Sequence, residues 1–496
     1  MTADISTAIA QRLAAQSGDA VFQHDEWKDW RWMALVAAQL DAAIAPLKLP
    51  PGAPAALVTR NRPQHAAAIA AQLAAGRPTT MIYSAQSPAA MANDVSALRP
   101  AVLIADADDW TPDLTGAAES IGALAIAISP DAAAPVRVRA PARLADSYRQ
   151  LDADVAFELL TSGTTGLPKR LPLSWRSLDA IVSDARAAYA APQVADARQP
   201  PGIVVHPLGN VAGVNYVAAP LAFGQPLVLM EKFELGAWVQ AVREHKPSRT
   251  ALPPSAVRMV LERNTPPEDL ASLRVIGTGG GALDPALQAR FEEKYGVAIL
   301  PAFGATEFGG VIANWTLDLY KAFAATKRGS AGRARPGVEL RILDRETFAP
   351  LPAGEIGLLS ARTPVTGDAW VRTNDLASLD ADGFLFLHGR ADNAINRGGF
   401  KVVPDVVADA LRAHPAVIDA AVVGIPDARL GETPVAAVEV NAPVSAEELT
   451  AFARTRLLAY QVPTQVRIVD ALPRNASMKV TLPEVRALFG TAPASP

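Results

Sequence analysis

Through about the first 390 residues, short apolar runs alternate with stretches of helical periodicity. Residues 55–59 read as a strand, 64–75 as a helix and 79–83 as a second strand, and the runs at 100–105 and 123–128 repeat the pattern. Residues 235–245, 255–263 and 283–295 carry helical spacing, and 273–277 is a short strand entering a glycine loop. This alternation predicts an α/β fold, a large N-terminal domain of layered sheets with helices. Beyond about residue 390 the scale changes. A helix at 404–413 sets Val406, Val407, Ala410 and Leu411 on one face, strands follow at 417–423, 435–440 and 465–469, and Ser445 with Glu448 forms a capping box. The pattern predicts a small α+β C-terminal domain over 391–496, joined to 1–390 by a short hinge.

Residues 203–230 contain no Asp, Glu, Lys or Arg. Pro207, Asn210, Asn215, Pro220, Gln225 and Pro226 interrupt the stretch too often for a lipid-facing helix, so buried core with turns is expected and no membrane span. The N-terminus lacks a basic segment followed by an apolar one, which predicts a cytoplasmic protein.

The densest chemistry lies at 161–170, Thr-Ser-Gly-Thr-Thr-Gly-Leu-Pro-Lys-Arg. The apolar run 155–160, broken only by Glu158, reads as the strand that delivers it. Glycines turn backbone N–H groups toward an anion, hydroxyls add donors, and Lys169 supplies a point charge. The segment outlines a phosphate cradle without the adjacent Gly-Lys-Ser/Thr of a Walker loop. By itself it is equally compatible with a polar surface loop.

The net charge of −4 argues against a nucleic-acid partner held by a basic face. With no cysteine in the chain, any thiol in its chemistry comes from outside. The six histidines show no metal-ligand spacing.

Four further segments carry chemistry. Gly277-x-Gly279-x-x-Ala282 formally fits a dinucleotide fingerprint, which leaves a nicotinamide oxidoreductase as another class of reading; the consecutive Gly279, Gly280 and Gly281 instead suggest backbone close to a flat ligand. Phe303-Gly304-Ala305-Thr306-Glu307 follows a strand interrupted by Pro301 and offers a carboxylate and a hydroxyl for Mg²⁺ shared with phosphate oxygens. Asp375, on a loop, can accept both hydroxyls of a ribose. Lys479 stands in a polar loop near the C-terminus and matters only if its domain swings over the phosphate loop.

In the order TSGTTGLPKR, GGGAL, FGATE, WVRTND, GRADNAINRGGFK and PRNASMK, the chain resembles the adenylate-forming superfamily from about residue 155 to 480. That family holds acyl- and aryl-CoA ligases, peptide-synthetase adenylation domains and beetle luciferases. The resemblance implies that Thr161, Ser162, Gly163, Thr164, Thr165, Gly166 and Lys169 hold phosphate. Gly280, Gly281 and Ala282 would lie against adenine, with Phe303 stacked on the purine and Gly304 beside it. Thr306 and Glu307 would meet phosphate and Mg²⁺, Asp375 and its neighbour Arg390 the ribose. Asp392 falls at the hinge of a mobile lid, Lys479 is the catalytic lysine, and Asn210, Gly213 and Gly279 border the acyl pocket.

The implied reaction is ATP- and Mg²⁺-dependent activation of a small-molecule carboxylic acid, aliphatic, aryl or polycyclic, to an acyl-adenylate, then transfer to coenzyme A, by a monomer or homodimer. A carrier-protein thiol, or closure of the adenylate to a β-lactone, is the alternative. A non-catalytic nucleotide binder is a further one. Four positions depart from the family pattern: Arg170 and Asn374 where glycine is usual, Asn210 where histidine or an aromatic is common, and Met478 just before the lysine. If residue 478 needs positive φ, methionine is strained there.

Overall fold

The computed structural model describes residues 4–84, 86–144, 148–160, 170–189, 200–281, 283–391, 393–397, 400–427, 429–475 and 478–490. A seven-stranded sheet runs, edge to edge, Val136–Ala140, Leu124–Ile128, Val102–Asp106, Ala55–Thr59, Thr79–Tyr83, Val155–Leu160 and Arg170–Ser174. Its central strands are parallel, and every residue of Ala55–Thr59, Val102–Asp106 and Leu124–Ile128 is buried. Strands covered on both faces read as continuous apolar runs, which is how the sequence presents them. Glu158, the polar exception, is buried but satisfied: Thr80 Oγ1 donates to it at 3.1 Å and the Arg149 guanidinium pairs with it.

A nine-stranded sheet follows, in the order Arg249–Ala251, Val275–Thr278, Ala298–Ala305, Gly310–Asn314, Ser330–Ala334, Phe384–Arg390, Val371–Leu379, Gly357–Arg362, Glu339–Leu343. Pro301 does not interrupt its strand. Ala298–Ala305 pairs in parallel with the preceding strand up to Thr278↔Pro301, then antiparallel with the next one from Ala302↔Asn314. The residue without an N–H sits where the strand changes partners, where its missing donor costs least.

The uncharged stretch resolves into the strand Gly202–Val204, the helix Val211–Phe223 with Pro220 inside it, and the strand Leu227–Leu229. Among the described residues no helix is long and apolar enough to cross a membrane. Near the C-terminus, Phe400–Val402, Ile395–Arg397, Gly431–Val440 and Val417–Asp427 form another sheet, with Gln465–Val469 on Gly431–Val440. The helix Pro404–Arg412 packs on it through Val407, Ala408 and Leu411; Val406, expected on that face, is 40% exposed. The capping box forms as expected, with Ser445 N donating to Glu448 Oε2 at 2.7 Å and Glu448 N to Ser445 Oγ at 3.1 Å.

Candidate active site

The phosphate-loop residues 161–169, together with Ala282 and Asp392, lie outside the described residues. The strand that feeds the loop and the one that leaves it are described, and they fix Arg170. Its guanidinium donates to the Met81 carbonyl at 2.9 Å and pairs with Asp94 at 2.5 Å. Where the family pattern has glycine, this chain ties the returning strand to its neighbours.

The glycine strip and the FGATE segment meet across the nine-stranded sheet. A Cβ added to Gly279 would stand 3.2 Å from the Ala302 carbonyl oxygen, so the strip rests against the strand that leads to Phe303 and Glu307. A Cβ at Gly304 would fall 2.2 Å from the Gly310 carbonyl oxygen, an overlap that glycine alone avoids. Phe303 is half-buried against the sheet core, and Thr306–Phe308 forms a single 3-10 turn that leaves Glu307 exposed. Phe308 is 3% exposed and belongs to the core.

Asp375 is not on a loop. It lies within the strand Val371–Leu379, opposite Arg390 on the neighbouring strand, with Arg390 Nη1 3.6 Å from its carboxylate. Asn374 shares that extended strand, so its position demands no positive φ.

Lys479 reaches this group from the far end of the chain. A Cβ at Gly280, itself at φ +78°, would be 3.4 Å from Lys479 Cε and 3.8 Å from Nζ. The lysine keeps part of its surface accessible to solvent, yet burial of its ammonium among neighbouring groups lowers its pKa. The Arg390 charge lowers it further and Asp375 opposes both. The loop that presents it is tightly bonded: Lys479 N donates to Asn475 Oδ1 at 3.0 Å and Asn475 N to the Lys479 carbonyl at 2.9 Å. Met478 adopts φ 61°, the left-handed region, at a cost of about 1–2 kcal/mol for a residue with a Cβ.

Asn210 and Gly213 have local structural work. Asn210 Oδ1 accepts from Gly213 N at 2.7 Å and so caps the helix Val211–Phe223. A Cβ on Gly213 would lie 1.9 Å from the Pro207 carbonyl oxygen. His206, upstream of Asn210, reads in the sequence as no more than a core histidine. Its ring packs on Tyr216, centroids 4.9 Å apart, and burial followed by the field of Lys479 pushes its pKa down to about 4. It is therefore a neutral imidazole near the lysine. Asn61 fixes this segment, donating to the His206 carbonyl at 2.9 Å and accepting from Leu208 N at 2.9 Å. No local pattern around His206 signals this; burial, the larger cause, and the charge of Lys479 both come from tertiary packing.

A model described as AMP-binding enzyme matches residues 10–367, and one described as AMP-binding enzyme C-terminal domain matches 407–479. This chain belongs to the AMP-binding enzyme family. It is 30% identical over 358 residues to 4-coumarate–CoA ligase-like 2 of Arabidopsis thaliana, covering 68% of this chain and 61% of that protein. It is 30% identical over 349 residues to 2-succinylbenzoate–CoA ligase of Bacillus subtilis, covering 68% and 69%. Among solved structures, the amide bond synthetase McbA from Marinactinospora thermotolerans superposes with a TM-score of 0.80 at 26% identity, covering 98% of this chain and 100% of that one.

In this AMP-binding enzyme the C-terminal domain rests on the helix Pro254–Glu262. Arg258 and Glu262 pair along that helix at 3.6 Å. Burial raises the Glu262 pKa from 4.5 to about 7; Glu439 and Asp419, carboxylates of the C-terminal domain, raise it while Arg258 opposes. Arg474 and Arg412 in turn bind Asp419. Because the docked pKa is raised, the stability this carboxyl contributes is fully present below about 4.5 and is lost as the pH rises through about 7. Thermal midpoints measured from pH 5.5 to 8.5 should fall across pH 7 in the parent protein and fall less in Glu262→Gln; parallel profiles would remove Glu262 from the account.

Mg²⁺ is commonly held by one or two carboxylates plus substrate phosphates, not by an all-protein cage. The exposed carboxylate of Glu307 fits that mode, and the described residues contain no cluster of three or more His, Asp or Glu arranged for a metal.

Proposed function

We propose that this protein is an AMP-forming carboxylate–CoA ligase. A carboxylate oxygen forms a bond to the α-phosphorus of ATP, the bond to the β-phosphate oxygen breaks, and pyrophosphate leaves. The sulfur of coenzyme A then bonds to the acyl carbon as the acyl–phosphate oxygen bond breaks, releasing AMP. The observation that carries this reading is Lys479 over Gly280, beside the Asp375–Arg390 pair.

Two anions must meet in the first step, and charge spreads over the phosphoryl oxygens. An ammonium preorganised in the cleft offsets that charge without reorganisation. Held by Glu307 and the nucleotide, Mg²⁺ would supply further positive charge at the phosphates. In this reading Asp375 accepts the ribose hydroxyls and Lys169, with the hydroxyls and glycines of 161–166, grips phosphate. Residues 1–390 act as the nucleotide- and acid-binding domain and 391–496 as a lid that rotates to admit the thiol.

Pyrophosphate release with ATP, Mg²⁺ and a panel of acids tests the reading. Neutral aliphatic and aryl acids are expected to give a signal and amino acids none. Silence with every acid would sink it. AMP release with coenzyme A, a phosphopantetheinyl carrier protein or an amine then identifies the acceptor. The likeness to an amide bond synthetase motivates the amine arm, and adenylate consumed with no acceptor would indicate internal closure such as a β-lactone.

A further inference from the structure

We propose that Ser255 is a positioning residue for Lys479, acting through Met478 in the first half-reaction and not in the second; this rests on the two-step reading above. Ser255 stands in the first turn of the helix Pro254–Glu262, and its Oγ donates to the Met478 carbonyl at 3.2 Å, across 223 residues of sequence. The same carbonyl accepts from Arg474 Nη1 at 3.2 Å, and Arg474 is anchored on Asp419. One carbonyl therefore joins a donor from each domain, immediately before the lysine.

The Met478 side chain adds a second tie. It packs against the apolar cluster that includes Val257, Val260 and Leu261 of the same helix. A glycine at this left-handed position would be free of strain but would have nothing to insert. Methionine accepts the strained conformation and gains a foothold on the opposite domain, which explains a bulky residue where the backbone asks for glycine. The two ties fix the peptide that leads into Lys479 and so set where its ammonium stands relative to Gly280.

The consequence is a contact made only while the lysine is docked. Rotation of the lid must break it before the thiol can enter. Ser255→Ala should therefore slow acid-dependent pyrophosphate release about five-fold, the effect of one ordinary hydrogen bond. Transfer from supplied acyl-adenylate to the acceptor should hold its rate. Ser255→Thr, which keeps the hydroxyl, should restore the first step. Equal slowing of both steps, or no rescue by threonine, would overturn the proposal.

Amide hydrogen exchange on the free protein tests the latch without turnover. Ser255→Ala should raise exchange in 254–262 and 478–480 together, and unchanged protection would refute the latch. A parent protein that releases no pyrophosphate with any acid would count against the proposed activity, while the exchange result would still decide the contact.

Discussion

Lys479→Ala should cripple acid-dependent pyrophosphate release while transfer from supplied acyl-adenylate survives: this is the largest kinetic effect expected. The first step should fall by about 10²–10³, the usual loss when one preorganised charge is removed from a developing anion. The geometry supports the split between steps. Lys479 is set over Gly280, within the field of Arg390 and Asp375, and its loop is stapled by Asn475. Quenched-flow measurement of pyrophosphate, beside AMP release from synthetic acyl-adenylate, reads the two steps separately. Equal loss in both would contradict a lysine devoted to adenylation.

Gly304→Ala acts differently and should damage both steps. The new Cβ would fall 2.2 Å from the Gly310 carbonyl oxygen and 2.6 Å from both the Gly310 carbonyl carbon and Val311 Cα, all backbone atoms with no rotamer to yield. The strands Ala298–Ala305 and Gly310–Asn314 must then part at the turn that carries Thr306 and Glu307. Overpacking of this kind costs about 1–3 kcal/mol, and a backbone clash belongs at the upper end. A lowered thermal midpoint together with loss of both half-reactions is expected. Parent-like stability with full activity would show that the strand pair is looser than its geometry indicates.

The contrast between these variants separates what was legible in the sequence from what was not. Gly304 and Lys479 are both visible as motif residues, but no local pattern supplies a reason for the glycine. That reason is the Gly310 backbone on the neighbouring strand. The sequence suggests a loop for Asp375; it is in a strand, Val371–Leu379, whose first five positions alternate half-buried and exposed before the chain enters the core. Asn210, which the resemblance sets at the border of the acyl pocket, also caps a helix with its side chain. A short polar side chain before an apolar run carries that signal by itself. The backbone at Met478 is left-handed, the strained case for a residue with a Cβ, and the apolar packing that compensates it lies on the helix Pro254–Glu262, far along the chain.

By itself the sequence determined the α/β layers, the small C-terminal α+β unit, the absence of thiol chemistry within the chain, and the order of motifs that marks its family. Those follow from periodicity, turn chemistry and residue type, which act over a few positions. Only the tertiary structure decided that Lys479 stands over Gly280, that Asp375 faces Arg390, that His206 is held neutral beside the lysine, and that Ser255 holds the lysine loop. Each of these joins residues brought together by packing between sheets and domains, and no short-range pattern encodes a distance across a cleft.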